Sequence, residues 1–184
     1  MKKSKNEVYP LAMTAVMAAV MAVVGPFALP IGPVPISLCT LVIYLAAYVL
    51  GQWRGTVAVL VYLLLGVVGM PVFSGFSGGL GKVAGPTGGY LVGYLLLAAV
   101  SGWAAERFPQ QRLLQLAGMV LGTVGLYAMG TAWFCVQSGS EVGAALTLCV
   151  VPFLPGDAVK MAVALTLGPS LRRRLEQAGL QSEP

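Results

Sequence analysis

The chain has 184 residues, of which 58% are hydrophobic and only 9% are charged, and its formal net charge is +5. Because soluble domains carry about 25% charged residues, this composition excludes a water-soluble enzyme, a disordered tail and a nucleic-acid-binding protein. It predicts one all-α domain over residues 1–184 that lies in a lipid bilayer.

Long stretches without Asp, Glu, Lys or Arg divide the chain. They cover residues 8–53, 55–81, 83–105 and 113–140, and a further apolar stretch follows Glu141. A helix needs roughly 20 apolar residues to cross the hydrocarbon core. The pattern therefore favours six transmembrane helices over five or seven, at about 9–25, 36–51, 55–72, 87–105, 113–136 and 142–171.

Proline and glycine mark two interruptions in this pattern. Residues 25–35 contain four prolines and two glycines, so this segment ends the first helix, and part of it is expected to dip into the membrane. The last span is interrupted at Pro152-Phe153-Leu154-Pro155-Gly156, where we expect a break or a re-entrant turn.

Basic residues are distributed unevenly around the six predicted spans. Nine of the eleven fall on the side of the two termini, the other side holds only Lys82, and Lys160 lies within a span. The positive-inside rule then predicts that both termini are cytoplasmic, in a cell membrane. Topology and contact with anionic headgroups explain the basic charge, so no nucleic-acid partner is expected.

The residues that most enzymes use are absent. The chain has no histidine, and five of its six acidic residues lie at the termini or at loop edges, so we predict no catalytic residue and no metal site. Residues 76–83 resemble a phosphate-binding loop, but Phe76 and Val83 stand where Gly and Ser or Thr are required. The three cysteines lie in apolar spans without metal or redox spacing. We predict neither an enzyme nor a bound cofactor, and any ATP must be hydrolysed by another subunit.

Asp157 and Lys160 are the only charges within the predicted hydrocarbon depth. They stand three residues apart after the Pro155-Gly156 break, so a helix that restarts there carries both on one face. Ionisable residues at this depth are costly and usually face a bundle interior or a polar cavity. The pair predicts a ligand site, against the alternative that the two charges only neutralise each other and dock the helix.

A glycine-dense connection over 74–89 precedes the fourth span and ends in Gly85-Pro86-Thr87-Gly88-Gly89-Tyr90. Glycines permit close approach of the backbone to a ligand or to another element. The connection is therefore either a flexible loop or the wall or lid of a pocket. Five aromatic residues are candidates for stacking on a flat ligand: Tyr44, Tyr62, Phe73, Tyr90 and Trp133.

The first span carries alanines at helical spacing. Ala12, Ala15, Ala19 and Ala22 form one smooth face, the type of surface through which membrane helices pack closely. It can meet another helix of this chain or another subunit.

Four segments resemble the BioY family, the biotin-specific substrate-binding (S) components of energy-coupling factor (ECF) vitamin transporters. The resemblance covers nearly the whole chain, and the four segments in this order are specific. They are residues 25–37, Gly69-Met70-Pro71-Val72-Phe73 with the glycines that follow, Gly85-Pro86-Thr87-Gly88-Gly89-Tyr90, and Pro155-Gly156-Asp157-Ala158-Val159-Lys160.

The resemblance implies a bundle of six transmembrane helices that captures biotin from outside and works with a transmembrane coupling subunit and two cytoplasmic ATPases. It implies that Asp157 and Lys160 lie in the biotin site, and that the face with Ala15 and Ala19 meets the coupling subunit. The other candidate substrate-binding residues come from the glycine-rich connection and its flanks: Phe73, Ser77, Thr87, Gly88 and Tyr90.

The chemistry of biotin suits this site but leaves its orientation open. Asp157 can accept from the ureido N–H groups, while Lys160 can donate to the ureido carbonyl or pair with the carboxylate. Two alternatives stay within transport: an S component for another vitamin, and a biotin transporter that works without the ATPase module. An intramembrane enzyme and a structural scaffold are the alternatives outside it.

Overall fold

The structure is a computed structural model that describes residues 3–29 and 34–177. Within these residues the chain is mainly helical. The helices are α1 (Lys3–Val24), α2 (Cys39–Val67), α3 (Leu80–Ala84), α4 (Gly88–Arg107), α5 (Arg112–Ser138), α6 (Val142–Cys149) and α7 (Leu154–Gln177). Four helical stretches are long and apolar enough to cross a membrane, Cys39–Val67, Gly88–Arg107, Arg112–Ser138 and Val142–Gln177, and Val8–Val24 is a shorter apolar helix.

Helix α2 folds back on itself at Gly51 and so supplies two of the six helices. Gly51 has φ +74° and ψ −167°, a conformation that glycine adopts at little cost. A Cβ placed on Gly55 would stand 3.5 Å from the Ala46 carbonyl oxygen. A straight helix, which rises about 1.5 Å per residue, cannot bring residues 46 and 55 so close. The two arms of α2 therefore pack side by side.

The proline-rich segment after α1 forms a short antiparallel strand pair instead of continuing the helix. Strand β1 (Ala28–Leu29) pairs with β2 (Ile36–Ser37), with Ala28 opposite Ser37. The Cys39 amide then donates to Ser37 Oγ at 3.0 Å, which joins β2 to the start of α2. The predicted interruption over 25–35 is present in the residues that the structure describes.

The predicted break in the last span is also present. Helix α6 ends at Cys149, a 3₁₀ turn covers Val151–Phe153, and α7 starts at Leu154. Pro155 and Gly156 fall in the first turn of α7, where a proline needs no amide hydrogen bond. With α6 and α7 together as the sixth helix, the described chain has the predicted all-α, six-helix architecture.

Helix α4 lies at the centre of the bundle, packed against α2 and α5. Glycines make these contacts close: a Cβ on Gly102 would stand 2.6 Å from the Gln52 Cα, and a Cβ on Gly93 would stand 2.8 Å from Leu126 Cδ1. Close approach through small residues is how apolar helices gain packing energy in lipid.

The connections gather at two ends of the bundle. At one end, Trp133 Nε1 donates to the Gly85 carbonyl and Gln137 Nε2 donates to the Ala84 carbonyl, each at 2.9 Å. At the other, the α2 turn at Gly51 lies against Glu106 near the end of α4. Lys82 thus lies at the first end, and Arg54 and Arg107 lie at the second.

Helix α1 turns its alanine face away from the rest of the chain. Thr14, Ala18 and Met21 are buried, whereas Ala12, Ala15 and Ala19 are exposed and Ala22 is half-buried. The alanine face therefore does not pack against another helix within the described chain. This leaves another subunit as the partner of the two that the sequence suggests.

Candidate ligand-binding site

Asp157 and Lys160 form a buried ion pair in the first two turns of α7. Lys160 Nζ lies 2.9 Å from Asp157 Oδ1, and the two residues are only 5% (Asp157) and 7% (Lys160) exposed. Because α7 restarts just before Asp157, the three-residue spacing brings both side chains to one face. The shared face predicted from the sequence is confirmed.

The ammonium group of Lys160 has two further partners outside its own helix. It donates to the Ser37 carbonyl at 2.7 Å and to Thr40 Oγ1 at 3.1 Å. An ammonium group has three N–H donors, so every donor of Lys160 has an acceptor. These bonds tie α7 to β2 and to the start of α2.

The second oxygen of Asp157 is also bound. Asp157 Oδ2 accepts a hydrogen bond from the Tyr127 hydroxyl on α5. Buried charges persist only where they are paired and hydrogen-bonded, and this carboxylate meets both conditions. The ion pair thus joins three parts of the bundle at one point.

A cavity opens beside the ion pair, and we call it the pair cavity. Its polar groups are few and lie together: Asp157, Lys160, Tyr127, Thr40 and Ser37. The rest of its described wall is apolar or aromatic, formed by Val34, Pro35, Tyr90, Tyr94, Leu126 and Phe153. An apolar wall with a few convergent polar groups is typical of small-molecule sites.

A second cavity adjoins the first, and we call it the connection cavity. The two cavities share five residues, Val34, Pro35, Ser37, Tyr90 and Tyr94. The remaining described wall comes from the end of α1, from α2 and α4, and from the glycine-rich connection: Gly25, Tyr62, Ser74, Lys82, Thr87 and Leu91. The connection is therefore a hydrogen-bonded pocket wall, with Phe73 N donating to Ser77 O at 2.9 Å.

Four of the candidates from the sequence line these cavities. Asp157 and Lys160 line the pair cavity, Thr87 lines the connection cavity, and Tyr90 lines both.

The other three candidates lie outside the described walls and support the connection from behind. Phe73 is fully buried, and its ring meets Tyr62 edge-on at 5.6 Å between ring centroids. Ser77 Oγ donates to the Ser74 carbonyl at 2.8 Å. Gly88 has no side chain and so leaves room for the Val83 carbonyl.

Two aromatic candidates, Tyr44 and Trp133, also lie outside the cavities. The Tyr44 hydroxyl is 2.5 Å from Thr123 Oγ1, and the Trp133 indole donates to the Gly85 carbonyl. Their hydrogen bonds stabilise the bundle and the connection.

Sequence reasoning missed Tyr127, Tyr94, Thr40 and Phe153. For Tyr127 a signal was present, because polar residues recur every fourth position along α5 at Thr123, Tyr127 and Thr131, and all three are buried. Such a stripe on an apolar helix indicates a face turned to the bundle interior. Thr40 carries no comparable signal, because its role depends on where β2 meets α7.

Three comparisons with known proteins point to the same family. The profile of the BioY family matches residues 1–177. A relative named "Biotin transporter BioY" from Rhizobium etli is 40% identical over 169 residues, covering 86% of this chain and 90% of the relative. One of the same name from Thermotoga maritima is 38% identical over 165 residues, covering 89% and 95%.

A solved structure has the same fold. The crystal structure of "the S-component for biotin from an ECF-type ABC transporter" superposes with a TM-score of 0.85 at 30% sequence identity. The match covers 92% of this chain and 93% of the other.

Proposed function

The chain belongs to the BioY family, and on this premise we propose that it is a membrane subunit that binds biotin for uptake into the cell. The observation that carries the proposal is the buried Asp157–Lys160 pair at the wall of a largely apolar cavity. Burying charge is costly even when two opposite charges are paired. We therefore infer that this pair serves to bind a polar group of a ligand.

Asp157 suits the ureido group of biotin. A carboxylate has about four lone-pair positions, and the protein uses one oxygen of Asp157 for Lys160 and the other for Tyr127. Positions remain for the two ureido N–H groups, which are neutral donors. Because its protein partners already fix the carboxylate, it binds these donors without first being ordered.

The apolar wall suits the rest of the ligand. Tyr90, Tyr94, Leu126 and Phe153 surround the pair cavity, and they offer contact area for a thioether ring and an aliphatic chain. Burial of such groups contributes about 25 cal/mol per Å² of apolar surface. Most of the affinity would therefore come from the wall, and the orientation would come from the polar groups.

We further propose that a transmembrane coupling subunit and two cytoplasmic ATPases energise uptake. The fold shared with an ECF S-component supports this division, and so does the lack of a complete phosphate-binding loop in the sequence. The exposed alanine face of α1, with Ala15 and Ala19, is the surface that we assign to the coupling subunit.

Uptake of labelled biotin by cells that lack their own biotin transporter tests this function. We expect uptake in cells that express the chain with the coupling subunit and the ATPases, and little uptake with Asp157→Asn in place of the parent. Full uptake by the chain alone would favour the transporter that needs no ATPase module. Uptake equal to that of empty cells would contradict the proposal.

A further inference from the structure

We propose that Lys82 binds the carboxylate of biotin, so that the ligand lies with its ureido group at Asp157 and its carboxylate in the connection cavity. The proposal rests on the proposed function and answers which end of biotin meets which charge. It assigns to Lys82 a role in orientation and specificity.

The ion pair is a poor site for the carboxylate of a ligand. All three donors of the Lys160 ammonium already have protein acceptors, and its charge is balanced by Asp157 at 2.9 Å. A second carboxylate placed there would lie close to that of Asp157, and like charges repel strongly where water is excluded. The neutral ureido group meets no such repulsion.

A carboxylate in a largely apolar cavity needs a cation elsewhere. Apart from Lys160, Lys82 on α3 is the cation in the described walls of the two cavities. Lys82 is half-buried, and within the described chain its ammonium makes neither an ion pair nor a hydrogen bond. Its three donors are therefore available, and Ser74 and Thr87 line the same cavity.

Asp157 and Lys82 line two adjoining cavities, Asp157 the pair cavity and Lys82 the connection cavity. The cavities share Val34, Pro35 and Ser37, which lie between α1 and α2, and Tyr90 and Tyr94 from α4. An elongated ligand with a neutral polar head and an acidic tail can thus pass the shared wall and reach both Asp157 and Lys82.

Orientation of the chain in the membrane does not explain why position 82 is a lysine. In the described chain, the basic residues of the connections between α2, α4 and α5 otherwise lie at the end of the bundle that carries the α2 turn and the α4–α5 loop, as Arg54, Arg107 and Arg112 do. Lys82 lies at the other end, where the positive-inside rule disfavours a cation. A role in ligand binding explains why a lysine stands there.

Binding of two ligands to the detergent-purified protein by calorimetry tests this assignment. One ligand is biotin, and the other is biotinamide, which keeps the ureido group but has a neutral amide in place of the carboxylate. We expect Lys82→Gln to weaken biotin binding about tenfold or more, since a hydrogen bond between two charged groups is stronger than one with a neutral partner. The same variant should bind biotinamide within about twofold of the parent, and Lys82→Arg should restore most of the affinity for biotin.

Two controls separate the outcomes. Arg54→Gln removes an exposed cation at the other end of the bundle and should leave binding of both ligands unchanged, whereas Asp157→Asn should weaken both. Binding of biotin by Lys82→Gln as tight as by the parent, or an equal loss of biotin and biotinamide, would overturn the assignment of Lys82. A parent protein that binds neither ligand would contradict the proposed function as well.

Discussion

The carboxylate of Asp157 is held from two sides, by Lys160 on its own helix and by Tyr127 on α5. Each oxygen therefore has a fixed direction before any ligand arrives. An acceptor that is already ordered binds donors without the entropic cost of immobilising it. This arrangement makes Tyr127 a positioning residue for the proposed biotin site.

Replacement of Tyr127 by Phe tests that role. The variant keeps the ring in the cavity wall and removes only the hydroxyl that donates to Asp157, so we expect biotin affinity to fall by about tenfold. Tyr44→Phe is a matched control, because it removes a buried hydroxyl that is bound to Thr123 and lies outside both cavities. Calorimetry should find the control close to the parent, and equal affinities for Tyr127→Phe and parent would contradict the positioning role.

Site residues are easier to predict from the sequence when their residue type is rare in the chain. Asp157 and Lys160 are recognisable because the apolar spans hold almost no other charge. Tyr127 is one of seven tyrosines, and only its place in the buried stripe of α5 distinguishes it. The Ser37 carbonyl could not be predicted, because a backbone acceptor is chosen by the fold and not by the residue type.

Close packing behind the connection cavity depends on one glycine of α2. A Cβ on Gly66 would overlap the Phe73 ring, which packs edge-on against Tyr62 in the cavity wall. We expect Gly66→Ala to lower stability by about 1–3 kcal/mol, the usual cost of overpacking, and to weaken biotin binding. Thermal unfolding in detergent measures the first effect.

Gly143→Ala is the control for this change. Within the described chain, no atom lies within 4 Å of a Cβ at Gly143 in α6, so the alanine should be neutral or should stabilise by about 0.4–1 kcal/mol. Equal unfolding temperatures for the two variants would show that the Phe73 contact does not constrain the fold.

The alanine face of α1 gives a second prediction for an element. Leucines at Ala15 and Ala19 should block close helix contact, and so reduce copurification of the coupling subunit while biotin binding by the isolated chain is unchanged. Leucines at Ala128 and Ala132 are the control, since these alanines are also exposed and one helical turn apart on α5. Undiminished copurification with the α1 variant would contradict the assignment of this face.

The ends of several helices can be predicted from the positions of proline and glycine in the sequence. The breaks at 25–35 and near 152 were predictable because several prolines lie close together there, and each removes a helical hydrogen bond. Single prolines do not end a helix in this chain, since Pro10 lies inside α1 and Pro169 lies inside α7. The reversal at Gly51 is tighter than the predicted gap of 52–54, because one glycine with positive φ turns the chain without a loop. The short helix α3 was missed, since its five residues lie in a glycine-rich stretch without a periodic pattern.

For the molecule as a whole, the sequence predicts that most basic residues lie on one side of the membrane. In the bundle, the α2 turn and the α4–α5 loop, which carry Arg54 and Arg107, lie at the same end. Orientation in the membrane stays a prediction. With Cys39, Cys135 and Cys149 replaced, a cysteine introduced at Glu141 should react with an impermeant maleimide in intact cells, and one introduced at Gln110 should react only after permeabilisation. Both positions are exposed, and the opposite labelling pattern would reverse the proposed orientation.

The most direct test of the biotin site is calorimetry of biotin binding to the purified protein and to the double variant Asp157→Asn with Lys160→Met. Removing both charges avoids a lone buried charge, so the variant should fold, with a thermal unfolding temperature near that of the parent. We predict tight binding by the parent and loss of at least about a hundredfold in affinity by the folded variant, as expected when several bonds to a charged group are removed. Binding of equal strength by the two proteins would contradict the assignment of the ion pair to the biotin site.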